Sequence, residues 1–141
     1  MYALTLVVDT ELGVVLVELS AEDQGRLESA VAKVTFADEV KVRQRFAAAF
    51  SAAAKKGADS RLLDGVKSLW AMLTDPDYVV TWQTKTQIVF ALGYFISPVD
   101  AVPDLTPGIG FVDDLLVVLW ALHNLEEEVA AYRKLRGIAT A

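Results

Sequence analysis

A mainly α-helical bundle with an N-terminal β-hairpin, an α+β arrangement, is the fold class predicted by three features of the sequence. Residues after Ser20 repeat apolar side chains at helical spacing. Residues 2–8 and 14–19 instead form two short β-rich runs around Asp9-Thr10-Glu11-Leu12-Gly13, the composition of a turn. The composition, 54% hydrophobic with no cysteine in 141 residues, supports one core of ordinary domain size without disulfides or thiolate metal sites. A single domain over 1–141 is expected, with a hairpin at 1–19, helices at 20–74 and a helical hairpin at 75–135.

Each element has its own signal. Tyr2, Leu4, Leu6 and Val8 alternate along the first strand, and Val14 to Val17 make the second apolar on both faces. A lone hairpin is marginal in water, so it must pack on helices or pair with another chain. Ser20 precedes Ala21-Glu22-Asp23, placing a cap and two acids at the positive end of a helix that runs to about Val34. A second helix starts near Thr35 or Asp38 and stops at Lys56-Gly57, with Val42, Phe46, Ala49, Phe50 and Ala53 as its stripe. Ser60 is expected to cap a third, whose stripe is Leu62, Leu63, Val66, Leu69, Trp70 and Leu73, broken by Asp75-Pro76-Asp77. A fourth covers about Gln83 to Ile96. A last helix, continuous from Val112 to Lys134, carries one seam through Leu115, Val118, Leu122, Leu125, Val129 and Tyr132.

Charge and composition narrow the function classes. The net charge of −6 argues against nucleic acid as a partner. A single histidine excludes an all-His zinc site. His123 reads as a solvated or core-edge residue, with pH sensing as the alternative. The start has no basic segment before its apolar run, so a secretory signal is not expected, and no apolar stretch reaches the length of a membrane span. The cytoplasm is the expected compartment, with membrane association as an addition. Residues 41–70 hold seven bases against two acids. Lys41, Arg43, Arg45, Lys55, Lys56, Arg61 and Lys67 are candidates for contact with an anionic surface, although neutralisation within the chain is the preferred reading. Trp70, Trp82 and Trp120 fit either core or interface.

The most informative stretch runs from Tyr94 to Asp114. Ser97, Pro98 and Asp100 have the order of a cap, a first helical residue and a capping acid. Pro103 ends that turn; Pro107, Gly108 and Gly110 suit a second reversal. Asp113 and Asp114 then open the last helix. The segment therefore reads as an ordered connector between two antiparallel helices.

These residues resemble the bacterial YkvA-like family, domain of unknown function 1232. The match rests on Tyr94, Ser97, Pro98, Asp100, Pro103, Asp104, Pro107, Gly110, Asp113 and Asp114, with Lys85 in the preceding helix, and covers roughly residues 75–125. Ala101 departs from the longer aliphatic residue usual there. The resemblance implies a helical hairpin and membrane proximity, and carries no established activity.

Chemically, Asp100, Asp104, Asp113 and Asp114 could converge on a hard cation. Capping, or pairing with Lys85, is the preferred reading, because aspartate at helix starts is the rule. No nucleophile–base arrangement or phosphate-cradling loop accompanies them. The expectation is a non-enzymatic structural or protein-interaction module without cofactor, binding a protein partner or forming a homo-oligomer. A peripheral membrane-associated helical hairpin is the alternative, and a metal-dependent enzyme using the aspartates the second alternative. The hairpin is the expected assembly surface.

Overall fold

The computed structural model describes residues 4–10, 13–96 and 113–137. Two strands, β1 (Leu4–Thr10) and β2 (Gly13–Leu19), precede six helices among these residues: α1 (Ala21–Ala32), α2 (Phe36–Lys55), α3 (Ser60–Thr74), α4 (Trp82–Ile96), α5 (Asp113–Asn124) and α6 (Glu126–Leu135). The predicted fold class is the one observed. The strands pair antiparallel, with Thr5 opposite Glu18 and Leu4 opposite Leu19. They form a two-stranded sheet, and β1 lies against α5.

Local chemistry explains the boundaries. Ser20 Oγ accepts from the Asp23 amide at 3.1 Å and starts α1. Thr35 and Asp38 form a reciprocal capping box, Thr35 N donating to Asp38 Oδ2 at 2.8 Å, so α2 begins one residue after Thr35. Gly57, at φ 77°, takes the left-handed turn after α2 that a side chain would disfavour. The third cap is Asp59 and not Ser60. The Asp59 carboxylate accepts from the Arg61 amide at 2.8 Å and also pairs with its guanidinium, which a serine cannot do. The expected single last helix is two. Leu125, at φ −105° and ψ 16°, breaks it, after an asparagine of low helix propensity and before three glutamates suited to a helix start. The seam survives the break: Val118, Leu125 and Tyr132 are all buried.

α4 is the hub. It packs on α1, α2, α3 and α5. Ile88, Val89, Phe90, Ala91 and Leu92 are consecutive and all buried, which a helix achieves only when surrounded. Its apolarity is therefore spent inside the bundle.

Pairwise contacts fix the helix directions. Glu39 meets Lys85, and Phe46 meets Phe95 at 6.3 Å between ring centroids, so α2 and α4 run parallel. Phe46 stacks on Trp70 at 4.3 Å while Arg43 reaches the Leu73 carbonyl, so α3 runs antiparallel to α2. Phe90 packs edge-on to Trp120, Gln87 accepts from Asn124 at 3.2 Å, and Thr84 donates to Glu128. That antiparallel register makes α4 and α5–α6 the expected helical hairpin. α3 approaches α5 at Gly65, where an added Cβ would lie 2.9 Å from Val118 Cγ1.

Candidate functional site

One end of the bundle gathers the starts of α2 and α4, the finish of α3 and the finish of α6. Three polar contacts hold it together. Glu39, only 4% exposed, takes Arg43 Nε at 3.0 Å on one oxygen and faces Lys85 Nζ at 3.5 Å with the other. Lys85, expected beside Asp113 or Asp114, thus pairs with Glu39 on α2. The Glu39 oxygen that faces Lys85 is buried with no hydrogen bond of its own, so its charge balance rests on Lys85.

The second contact is from Arg43 Nη2 to the Leu73 carbonyl at 3.1 Å, tying α2 to the last turn of α3. The third fastens the α3–α4 loop to α6. Arg136 donates from Nε to Asp75 Oδ2 at 2.7 Å and from Nη2 to the other oxygen, and the Tyr132 hydroxyl donates to Oδ2 at 2.8 Å. Arg136, and after it the Asp77 amide, hold the Asp75 carboxyl below the usual carboxylate range. Burial, and then its bond to Asp75, push the Tyr132 hydroxyl up. Tyr78 packs edge-on against Tyr132 at 4.8 Å, so the loop is pinned at both Asp75 and Tyr78.

Apolar side chains project from this pinned end. Phe36 is 69% exposed, Val79 92%, Trp82 53% and Leu135 64%, with Val40 also outside. These five are the exposed large hydrophobics among the described residues: four lie on helix ends that meet here, and Val79 lies in the α3–α4 loop that joins two of them. Sequence reasoning had no signal for four of them and only an undecided one for Trp82. Hydropathy marks apolar residues, not which of them the bundle leaves outside. Of the three tryptophans that fit either core or interface, Trp82 is exposed, whereas Trp70 and Trp120 pack on Phe46 and Phe90.

The basic set divides. Arg43 is paired with Glu39 and Arg61 with Asp59, as neutralisation within the chain requires. Lys41, Arg45, Lys55, Lys56 and Lys67 are exposed and make no ion pair among the described residues. Lys41 lies near the apolar end, whereas Lys55 and Lys56 close the far end of α2. Tyr94 is buried at the end of α4. Ser97, Pro98, Asp100, Pro103, Asp104, Pro107 and Gly110 lie outside the described residues, as do the side chains of Asp113 and Asp114, whose backbone opens α5. The aspartate set considered for a cation therefore lies outside the described side chains. Among the described residues, no three His, Asp or Glu side chains gather around a common point for a metal ion.

Residues 84–120 match the family model described as protein of unknown function (DUF1232). Over 97 residues the chain is 31% identical to the Bacillus subtilis (strain 168) protein named uncharacterized membrane protein YkvA, covering 64% of this chain and 89% of that protein. No solved structure matches the chain. The family match takes in most of α4 and most of α5, from the turn that holds Lys85 to the Trp120 that packs on Phe90.

Proposed function

The chain belongs to the DUF1232 family of YkvA-like proteins, and from that premise we propose that it is a non-enzymatic module that associates peripherally with a membrane and does not cross it. The observation that carries the reading is the apolar end, where Phe36, Val79, Trp82 and Leu135 stand in solvent on a rigidly tied frame. Patches of that kind mark protein or membrane contacts. The relative named as a membrane protein favours the membrane. Among the described residues, no helix is long and apolar enough to span a bilayer. Flotation of the full chain with vesicles containing phosphatidylglycerol tests the reading. The protein is expected in the floating fraction at low salt, and protein left at the bottom overturns it.

A second reading has its own observation. The sheet has two strands, so each presents an outer edge with no strand partner among the described residues, the situation that favours pairing with another copy. On this reading the module also self-associates through the hairpin. Light scattering after size exclusion is expected to give a larger species for the full chain than for a chain lacking residues 1–17, which keeps the buried Leu19. Equal masses would remove this reading.

A further inference from the structure

We infer that the chain docks end-on, with the α2/α4 starting end against an anionic lipid surface and the junctions at Ile96 and Asp113 directed away from it. This rests on the peripheral-membrane reading and specifies its surface, lipid class and orientation. The expectation from sequence is different. There, the two apolar helices of the YkvA-like hairpin would meet lipid. In the structure α4 is enclosed by four helices, and Leu116, Val117, Val118, Trp120 and Ala121 of α5 are buried. Their apolar surface is already used, so lipid contact falls to the side chains left outside.

Among the described residues, the exposed large apolar side chains gather at one end. The Glu39–Lys85 pair brings the starts of α2 and α4 together, Arg43 adds the end of α3, and the Asp75–Arg136 pair adds the end of α6. Of the two valines in the α3–α4 loop, Val80 packs against the core and Val79 does not. The loop is tied at Asp75 and Tyr78, and Val79, the next residue, still stands 92% exposed. A fixed loop holding an aliphatic tip in water, beside a half-exposed tryptophan, matches the chemistry of the headgroup–acyl boundary, where tryptophan is favoured. The rim is cationic. Lys33, Lys41 and Lys134 are exposed and free of ion pairs among the described residues. Most acids nearby are engaged, Glu39 with Arg43 and Lys85, Asp75 with Arg136 and Asp38 with the Thr35 amide, whereas Asp77 is largely exposed and reaches Arg136 only at 3.8 Å, so three lysines face one open carboxylate. Apolar tips ringed by unpaired lysines complement an anionic bilayer more closely than a neutral one. The end where α4 stops and α5 starts lies a helix length away, by the antiparallel register of Phe90 with Trp120 and Gln87 with Asn124.

The test uses the full chain and vesicles of phosphatidylcholine with or without phosphatidylglycerol. Brominated acyl chains are expected to quench wild-type tryptophan emission, and Trp82→Phe to abolish that quenching while binding persists. Replacing Phe36, Val79 and Trp82 together by serine is expected to weaken partitioning at least about tenfold with an unchanged circular-dichroism spectrum. Should that variant unfold, K33E/K41E/K134E, which alters only exposed side chains, is expected to lose the preference for phosphatidylglycerol. K55E/K56E at the far end of α2 is expected to bind as wild type. Wild-type binding that survives both the serine and the lysine variants overturns the docking face and leaves the membrane reading standing. Binding lost instead in K55E/K56E reverses the orientation. Equal binding to both vesicle types overturns the anionic preference. A wild-type chain that binds neither vesicle overturns this inference together with the reading beneath it.

Discussion

Asp75 is the residue on which the α3–α4 loop depends. It accepts from Arg136 twice and from Tyr132 once, and it also caps the Asp77 amide at 2.9 Å. Folding lowers its affinity for a proton. Its contribution is therefore complete above the unfolded value of 3.8 and disappears as pH falls through the lower folded value. The melting temperature of the wild type is expected to fall in that acid range, and Asp75→Asn to flatten the fall; parallel pH profiles would refute the assignment. Lys85 offers a second test. Lys85→Ala leaves the buried Glu39 oxygen facing no cation and is expected to cost about 1–3 kcal/mol, with Glu39→Gln in the same chain recovering part of the loss. Additive losses in denaturant titrations would show that the two do not interact. Lys85 stood out in the sequence as the one base between residues 71 and 125, yet its partner did not. Glu39 sits on another helix, and charge spacing along a chain says nothing about which helices face each other.

At the scale of elements, caps and breakers were legible because their chemistry is local. Ser20, Thr35 with Asp38, and Gly57 all act within four residues of the boundary they set. Asp59 was missed in favour of Ser60 because both residue types cap equally well and adjacent positions compete. The break at Leu125 was missed because the apolar seam crosses it without interruption. Thr35→Ala is expected to destabilise by about 0.5–2 kcal/mol through the lost half of the capping box. An unchanged midpoint in urea would mean that α2 starts without it. Packing between elements was less legible. The α3–α5 contact at Gly65 needs a residue without a side chain, and one glycine inside a helical pattern does not announce its neighbour. Gly65→Val would push against Val118 and is expected to cost about 1–3 kcal/mol by overpacking. A variant as stable as wild type by thermal melting would show that α3 and α5 can separate freely.

For the whole molecule, the sequence indicated a helical bundle with a hairpin, and composition made a large core inevitable. Its directions were not legible. Parallel α2 and α4, with α3 running the other way, bring the exposed large apolar residues among those described to one end, and only tertiary packing settles this. The last helix joins in by closing on the α3–α4 loop. Ending the chain after Leu125 is expected to lower the melting temperature and expose Tyr78 and the loop around it to protease, whereas α4 should stay protected within the remaining helices. Rapid cleavage within α4 instead would show that α6 supports the hub directly.

The Asp75–Arg136 clasp also has a consequence in time. Its partners are 61 residues apart, against two or three for the helix caps, so a long stretch of chain must be in place before they can meet. A contact made only after the transition state leaves the folding rate alone and slows opening, and a clasp that closes last is of that kind. Arg136→Ala is therefore expected to leave the refolding arm of a chevron plot almost unmoved and to raise the unfolding arm. The clasp works as a latch on lifetime: it governs how long the assembled end persists, and hardly at all how quickly it forms.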